Sequence, residues 1–228
     1  LLEVEDTPLL LILLILIILL PVISNVLINS TYSNYSQIRN EANISGKDVA
    51  RKILDSNGLK DVKIREISGN LTDHYDPRNK TVSLSSDIYD GCSISSVSVA
   101  AHECGHAIQD KEGYSPMRLR SKLVPIVNFS SRFATLFIFL GLVSEILDLY
   151  YIGIGLLLVG LLFQFVTLPV EFDASRRAMK ELKSLNLVRD DELSGSSKVL
   201  KAAAFTYIAS FLAMLFQIVR LIYNTRDN

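Results

Sequence analysis

The stretch "SISSVSVAAHECGHAIQDKEG", residues 93–113, decides the fold around it. Ile94, Val97, Ala101 and Ile108 recur at helical spacing, Ser93 is placed to be an N-cap and Gly113 to be a stop, so the spacing predicts one helix. Two of the chain's three histidines, His102 and His106, stand four residues apart in it, which turns both imidazoles to the same side of a helix. Two imidazoles facing one point can hold a zinc ion at about 2.0–2.1 Å each, if a third side chain arrives from elsewhere and one position stays open. Such a helix requires a fold that brings a distant residue to it.

Glu103 projects about 100° around the helix from His102, beside a metal without ligating it. From there it can take a proton from water that the metal has made acidic and pass it to a leaving amine. That division of roles is the HExxH pattern. The plainer reading, a helix with two surface or core histidines, needs three uncommon residues to coincide at fixed positions. It also leaves unexplained why Ala100, Ala101 and Gly105 are small enough to let other backbone approach. For the third ligand the sequence offers several candidates. His74 lies in a polar loop beside Asp73 and Asp76, while Asp110 and Glu112 are too near on the same helix end to fold back. Glu171 is favoured and Asp173 is next, because an apolar hairpin returns the chain at "LPVEFDASRRA" to the side it left. An interfacial charge capping a helix as it leaves lipid is the plainer reading of Glu171.

That hairpin is read from the apolar runs. Of 228 residues 49% are hydrophobic, mean hydropathy is +0.31, and the apolar residues are clustered. Residues 8–28, "PLLLILLILIILLPVISNVLI", carry no charge over a length sufficient to cross a hydrocarbon core of about 30 Å. Glu3, Glu5 and Asp6 ahead of the run, and "PVISN" at its end, favour an anchor over a cleaved signal peptide. Residues 123–170 hold two more runs and form the hairpin. Its first arm contains Arg132, which leaves open whether that arm enters lipid along its whole length or only in its later half. Residues 202–222 are more polar, with Gln217 and Arg220, and suit a transmembrane or interfacial helix.

Lys and Arg number 13 in residues 29–122 and seven in residues 171–201, whereas the hairpin tip "SEILDLY" has none. Both basic segments are therefore expected on the cytoplasmic side, in a multi-pass cell-membrane protein whose N-terminus lies outside. Within residues 29–122 Ser45 and Gly58 bracket a predicted helix, a strand follows over 62–67, and "TVSLSS" alternates at period two as a short, half-exposed edge strand. A net charge of −1 gives no reason to expect nucleic acid. Cys92 and Cys104 form no CxxC pair and read as small buried side chains.

Three separated blocks, "LTDHYDPRNKTVSLSSDIY", "VAAHECGHAIQ" and "LPVEFDASRRA", resemble the bacterial and archaeal membrane-bound neutral zinc metallopeptidases. The likeness covers about residues 31–200. It implies a gluzincin-like site with Zn2+ held by His102, His106 and Glu171, Glu103 as general base, and "TVSLSS" as the edge strand to which an extended substrate adds. The HtpX and CAAX-prenyl membrane proteases are more distantly similar. They follow their glutamate ligand with an aspartate four residues later, where this chain has Ser175, which can orient a zinc histidine only as a neutral donor or acceptor. The resulting expectation is an α+β zincin-like peptidase domain, residues 29–122 with residues 171–201, on a membrane-embedded all-α part of about four transmembrane helices. Its partners would be a peptide or protein substrate and the lipid bilayer, and the sequence leaves the oligomeric state open. An intramembrane protease and a non-catalytic zinc-stabilised scaffold are the alternatives. The first is disfavoured by the polar residues around the pair, Ser93, Ser95, Ser96, Ser98, Gln109, Asp110 and Lys111, which suggest a water-exposed helix. The second is disfavoured by Glu103, since a structural site needs no base.

The charge asymmetry makes a direct prediction. A membrane-impermeant cysteine reagent should label a probe at Asp148 on intact cells and a probe at Lys80 only after permeabilisation. The opposite pattern would invert the orientation.

Overall fold

The computed structural model describes residues 7–224. Glu3, Glu5 and Asp6, used above to favour an anchor, lie outside the described residues. The order of elements is α1 (Thr7–Ser36), α2 (Gly46–Ser56), β1 (Lys63–Ile67), β2 (His74–Asp76), β3 (Thr81–Ser85), α3 (Ser86–Tyr89), α4 (Ile94–Glu112), α5 (Ser115–Val143), α6 (Leu147–Ser184) and α7 (Asp190–Asn224). Four of them, α1, α5, α6 and α7, are long and apolar enough to cross a membrane. The chain forms two compact units. One comprises residues up to Asn25, Leu119–Leu168 and residues from Thr206; the other comprises Val26–Arg118 and Pro169–Phe205.

In the second unit α2 starts where Ser45 accepts a hydrogen bond from the Asp48 backbone N–H, and it ends at Asn57 with Gly58 in the left-handed region. Its Val49, Ala50, Ile53 and Leu54 are buried in one core with Val97, Ala101, Cys104 and Ile108 of α4. Each large aliphatic side chain buried in this way contributes about 1.5–3 kcal/mol. The Cys104 thiol donates to the Ala50 carbonyl at 3.6 Å, and burial pushes its pKa well up, as expected of a thiol that packs rather than reacts.

The sheet has the order β1-β3-β2, with β1 parallel and β2 antiparallel to the central β3. This corrects the expectation for "TVSLSS": it is the central strand, and all five residues of Thr81–Ser85 are buried. Its serines occupy the positions that read as solvent-facing, but each has a partner inside. The Arg65 Nε–H donates to Ser83 Oγ at 2.9 Å, and Asp73 accepts from the Ser85 backbone N–H at 2.7 Å. The edge beside it is β2, three residues from the loop that the sequence left without structure.

Helix α4 has the predicted ends. Ser93 accepts from the Ser96 N–H, and Gly113 takes the left-handed conformation that closes the last turn, with φ of 67°. It is buried rather than water-exposed, contrary to the reading of its polar flank. Ser95, Ser96, Ser98 and Gln109 are all buried, with hydroxyl bonds from the three serines to the carbonyls of Tyr32, Asp87 and Ile94. Where α4 meets α6, an added Cβ at Gly105 would lie 2.5 Å from the Ala174 carbonyl oxygen, so the two backbones touch there.

That contact can be tested by adding one carbon. Gly105→Ala forces α4 and α6 apart and should lower stability by about 1–3 kcal/mol, seen as a lower thermal midpoint in detergent. Gly155→Ala, where nothing lies within 4 Å of the new carbon, should leave the midpoint unchanged or raise it slightly. Equal midpoints for the two variants would show that the helices do not need a bare backbone at Gly105.

Candidate metal centre

His102 and His106 project from the same side of α4, with ring centroids 4.8 Å apart and planes nearly perpendicular at 83°. Glu171 meets them from α6, three residues before Ala174, the residue whose carbonyl lies against Gly105. One of its carboxylate oxygens, Oε2, is 3.2 Å from Nε2 of His102 and 3.6 Å from Nε2 of His106. One potential ligand atom from each of the three residues lies within 4.8 Å of the others, and they form the one such cluster found among the described residues. The carboxylate is 2% exposed, so burial without a cation or proton beside it would be costly.

The other candidates are elsewhere. His74 is the exposed residue of strand β2, its Nδ1 2.9 Å from the Thr72 carbonyl. Asp173 is buried but turned to Gln109, Arg176 and Arg177, with the Gln109 amide 3.0 Å away. Asp110 accepts from the Tyr75 hydroxyl at 2.8 Å, tying β2 to the end of α4, and burial together with that carboxylate holds the phenol's pKa well above its usual value. Glu112 pairs with Arg177 at 2.7 Å.

Both imidazoles are held on their outer nitrogens. Ser175 Oγ is 3.2 Å from His102 Nδ1, one turn beyond Glu171 on α6. His106 Nδ1 is 3.0 Å from Oε1 of Gln109. Gln109 is fully buried, and its amide nitrogen donates both to the Val170 carbonyl at 2.8 Å and to Asp173. With two acceptors on the nitrogen, the amide oxygen has to face His106, and the hydrogen between them has to be on Nδ1. The Nε2 lone pair of His106 is thereby left pointing toward Glu171. The sequence reading assigned Gln109 to a wet surface. Its position three residues after His106 was the available signal, since an imidazole that holds a metal needs a partner on its other nitrogen.

Electrostatics favour a positive charge at this point. Burial works against a protonated His106, yet the Glu171 carboxylate, helped by Glu103 and Gln109, outweighs it and raises the imidazole's pKa above the ordinary value. A place that favours an added proton favours a metal cation for the same reason. Glu103 is buried at 7% exposure, and its carboxylate makes no hydrogen bond to any described residue.

The comparisons point to zinc as the metal concerned. The sequence model of a family described as "Putative neutral zinc metallopeptidase" matches residues 10–226. A curated protein of Bacillus subtilis (strain 168), named "Putative membrane protease YugP", is 44% identical over 203 residues, which are 88% of this chain and 90% of that one. No solved structure matches the chain. The match runs through both compact units, so the chain belongs to this neutral zinc metallopeptidase family.

Proposed function

We propose that the chain is a membrane-anchored zinc-dependent endopeptidase that hydrolyses peptide bonds at the cytoplasmic membrane face, in unfolded or membrane-associated proteins. The observation that carries the reading is the convergence of two imidazole nitrogens and one buried carboxylate, with a second buried carboxylate, Glu103, that has no hydrogen-bond partner among the described residues. Two nitrogens and one oxygen are a donor set that suits catalytic zinc, which keeps its fourth position for water or substrate. His102, His106 and Glu171 would hold the ion. When bound, it supplies Lewis acidity toward water and the scissile carbonyl.

The remaining chemistry belongs to the chain. Glu103 accepts the proton that water gives up and returns it to the leaving amine; its lack of a competing hydrogen bond keeps both oxygens free for that task. Glu171 supplies the one negative charge among the three ligands. Gln109 and Ser175 fix the outer nitrogens of the imidazoles, and both do so without adding charge.

A closed structural site would need four protein ligands, and the cluster has three. An enzyme cutting within the bilayer would place the histidine helix among the apolar spans, and α4 is not one of the four helices of that kind. The cytoplasmic side rests on the 13 and seven basic residues of the two segments that flank the hairpin.

Three substitutions separate the roles. Glu103→Gln leaves the ligands intact, so zinc should remain near one per chain while turnover of an unstructured protein falls by about 10²- to 10⁴-fold. Glu171→Gln should lose zinc under mild chelation and regain part of its activity when metal is added, whereas Asp173→Asn should retain zinc. If Asp173→Asn loses the metal while Glu171→Gln keeps it, the third ligand is misassigned.

Gln109→Leu tests the outer contact on its own. Removing the amide leaves Nδ1 of His106 without its partner and should weaken zinc binding by about 10- to 100-fold, measured by competition with a chelator. Unchanged affinity would reduce Gln109 to packing.

A further inference from the structure

Helix α5 carries an exposed polar face in its apolar stretch. Asn128, Ser131, Arg132 and Thr135 are all exposed and stand at the i, i+3, i+4 and i+7 positions of one side. Arg132 makes no hydrogen bond or ion pair with any described residue. On the reading of the four long helices as membrane spans, this charge belongs inside the bilayer. The 11 uncharged residues from Phe133 to Val143 rise about 16 Å, too short to cross a core of about 30 Å. The arm must therefore enter lipid along most of its length.

The hairpin register gives the depth. An added Cβ at Gly141 would meet the Tyr150 nitrogen at 2.5 Å, and one at Gly153 would meet the Ile138 nitrogen at 2.8 Å. Arg132 is thus level with about residues 155–159 of α6, whose uncharged stretch runs from Leu149 to Val170 and is about 33 Å long. The arginine lies about two turns or more inside either end. Snorkelling serves residues near helix ends, and unpaired charge at this depth is costly and marks function.

We propose that this face of α5 binds a transmembrane helix of another protein that carries an Asp or Glu near its middle. Arg132 pairs with the carboxylate, and Asn128, Ser131 and Thr135 supply short polar contacts on either side of it. A second copy of this chain does not fit the role. Residues 8–36, 115–143, 149–170 and 202–224 contain no Asp or Glu, so a copy offers Arg132 another arginine or a neutral helix. Lipid phosphates carry the right charge but sit at the headgroup level rather than at this depth.

The test uses the full chain in phosphatidylcholine vesicles with a leucine-rich transmembrane peptide of about 23 residues bearing Glu, Gln or Leu at its centre. Association is read by energy transfer between labels. The Glu peptide should bind at least about tenfold tighter than the Leu peptide, as expected when an unpaired intramembrane charge gains its counter-ion. Arg132→Lys should keep most of that preference and Arg132→Met should abolish it. Moving the Glu to the peptide's end should also abolish it, and this comparison needs only the wild-type protein. Four results would overturn the proposal. The first is equal binding of Glu and Leu peptides; the second is a preference that persists in Arg132→Met. The third is full recovery when the arginine is moved to the lipid-facing side of α1, in Arg132→Met with Ile18→Arg, since any arginine in lipid would then suffice. The fourth is loss of the preference when phosphatidylglycerol is added, which would make the ligand a lipid. None of these readouts depends on proteolysis, so the face can fail while the zinc site stands, or the reverse.

Discussion

The contact between α4 and α6 at Gly105 and Ala174 is the constraint from which the site follows. With a backbone carbonyl only 2.5 Å from where a Cβ would be, the two helices touch without intervening side chains. His102 lies three residues before Gly105 and His106 one after it, while Glu171 lies three before Ala174 and Ser175 one after it. Helical spacing then puts all four side chains around the point of closest approach. A larger residue at position 105 would separate the carboxylate from the imidazoles by the same amount that it separates the helices. The distances of 3.2 and 3.6 Å from Glu171 to the two rings leave little room for that.

Close packing of two helices around charged groups creates a demand for buried hydrogen-bond partners, and Gln109 meets most of it. Its side chain connects His106 to the Val170 carbonyl and to Asp173, so α4 and α6 are joined by polar bonds about one turn from His106 and Glu171. Asp173 is in turn neutralised by Arg176 and Arg177, and Arg177 extends to Glu112 at the end of α4. A buried carboxylate without these cations would be costly; with them it anchors the amide that orients His106. The amide of Gln109 and the hydroxyl of Ser175 add no negative charge at the outer nitrogens of the two imidazoles.

What the sequence reveals is what depends on local spacing. The histidine pair, the caps at Ser45, Ser93 and Gly113, and the four apolar helices can all be read from residues a few positions apart. Glu171 was reachable because the hairpin constrains where the chain returns. The failures are residues whose polarity is satisfied at long range. Ser83 and Ser85 look like the wet face of an edge strand, but Arg65 and Asp73 bond to them inside, and β3 proves central. Ser95 and Gln109 look like solvent-facing positions of α4, but Tyr32 and Val170 supply their partners. A polar residue in a sequence does not show whether water or a distant backbone carbonyl satisfies it.

The long helices cross the boundaries between spans and connecting segments. Reading spans as separate from the segments between them divides the chain at about residue 171, yet α6 runs without a break from Leu147 to Ser184. It contains both the uncharged stretch and the candidate ligand, and α7 likewise runs continuously from its acidic first turn into its apolar part. A fragment of residues 29–122 would keep both histidines and Glu103 but lack Glu171, and would have neither Val170 nor Asp173 to hold Gln109. The unit that contains the site is instead assembled from two stretches of chain, Val26–Arg118 and Pro169–Phe205, and the intervening residues form the hairpin. Affinity for a metal at a cluster assembled this way would include the free energy of seating α6 on α4, because a site made from two chain segments does not exist until they pack. The hairpin thus has two physical roles in one chain: its apolar surface suits lipid, and its second arm continues unbroken into the turn that carries Glu171.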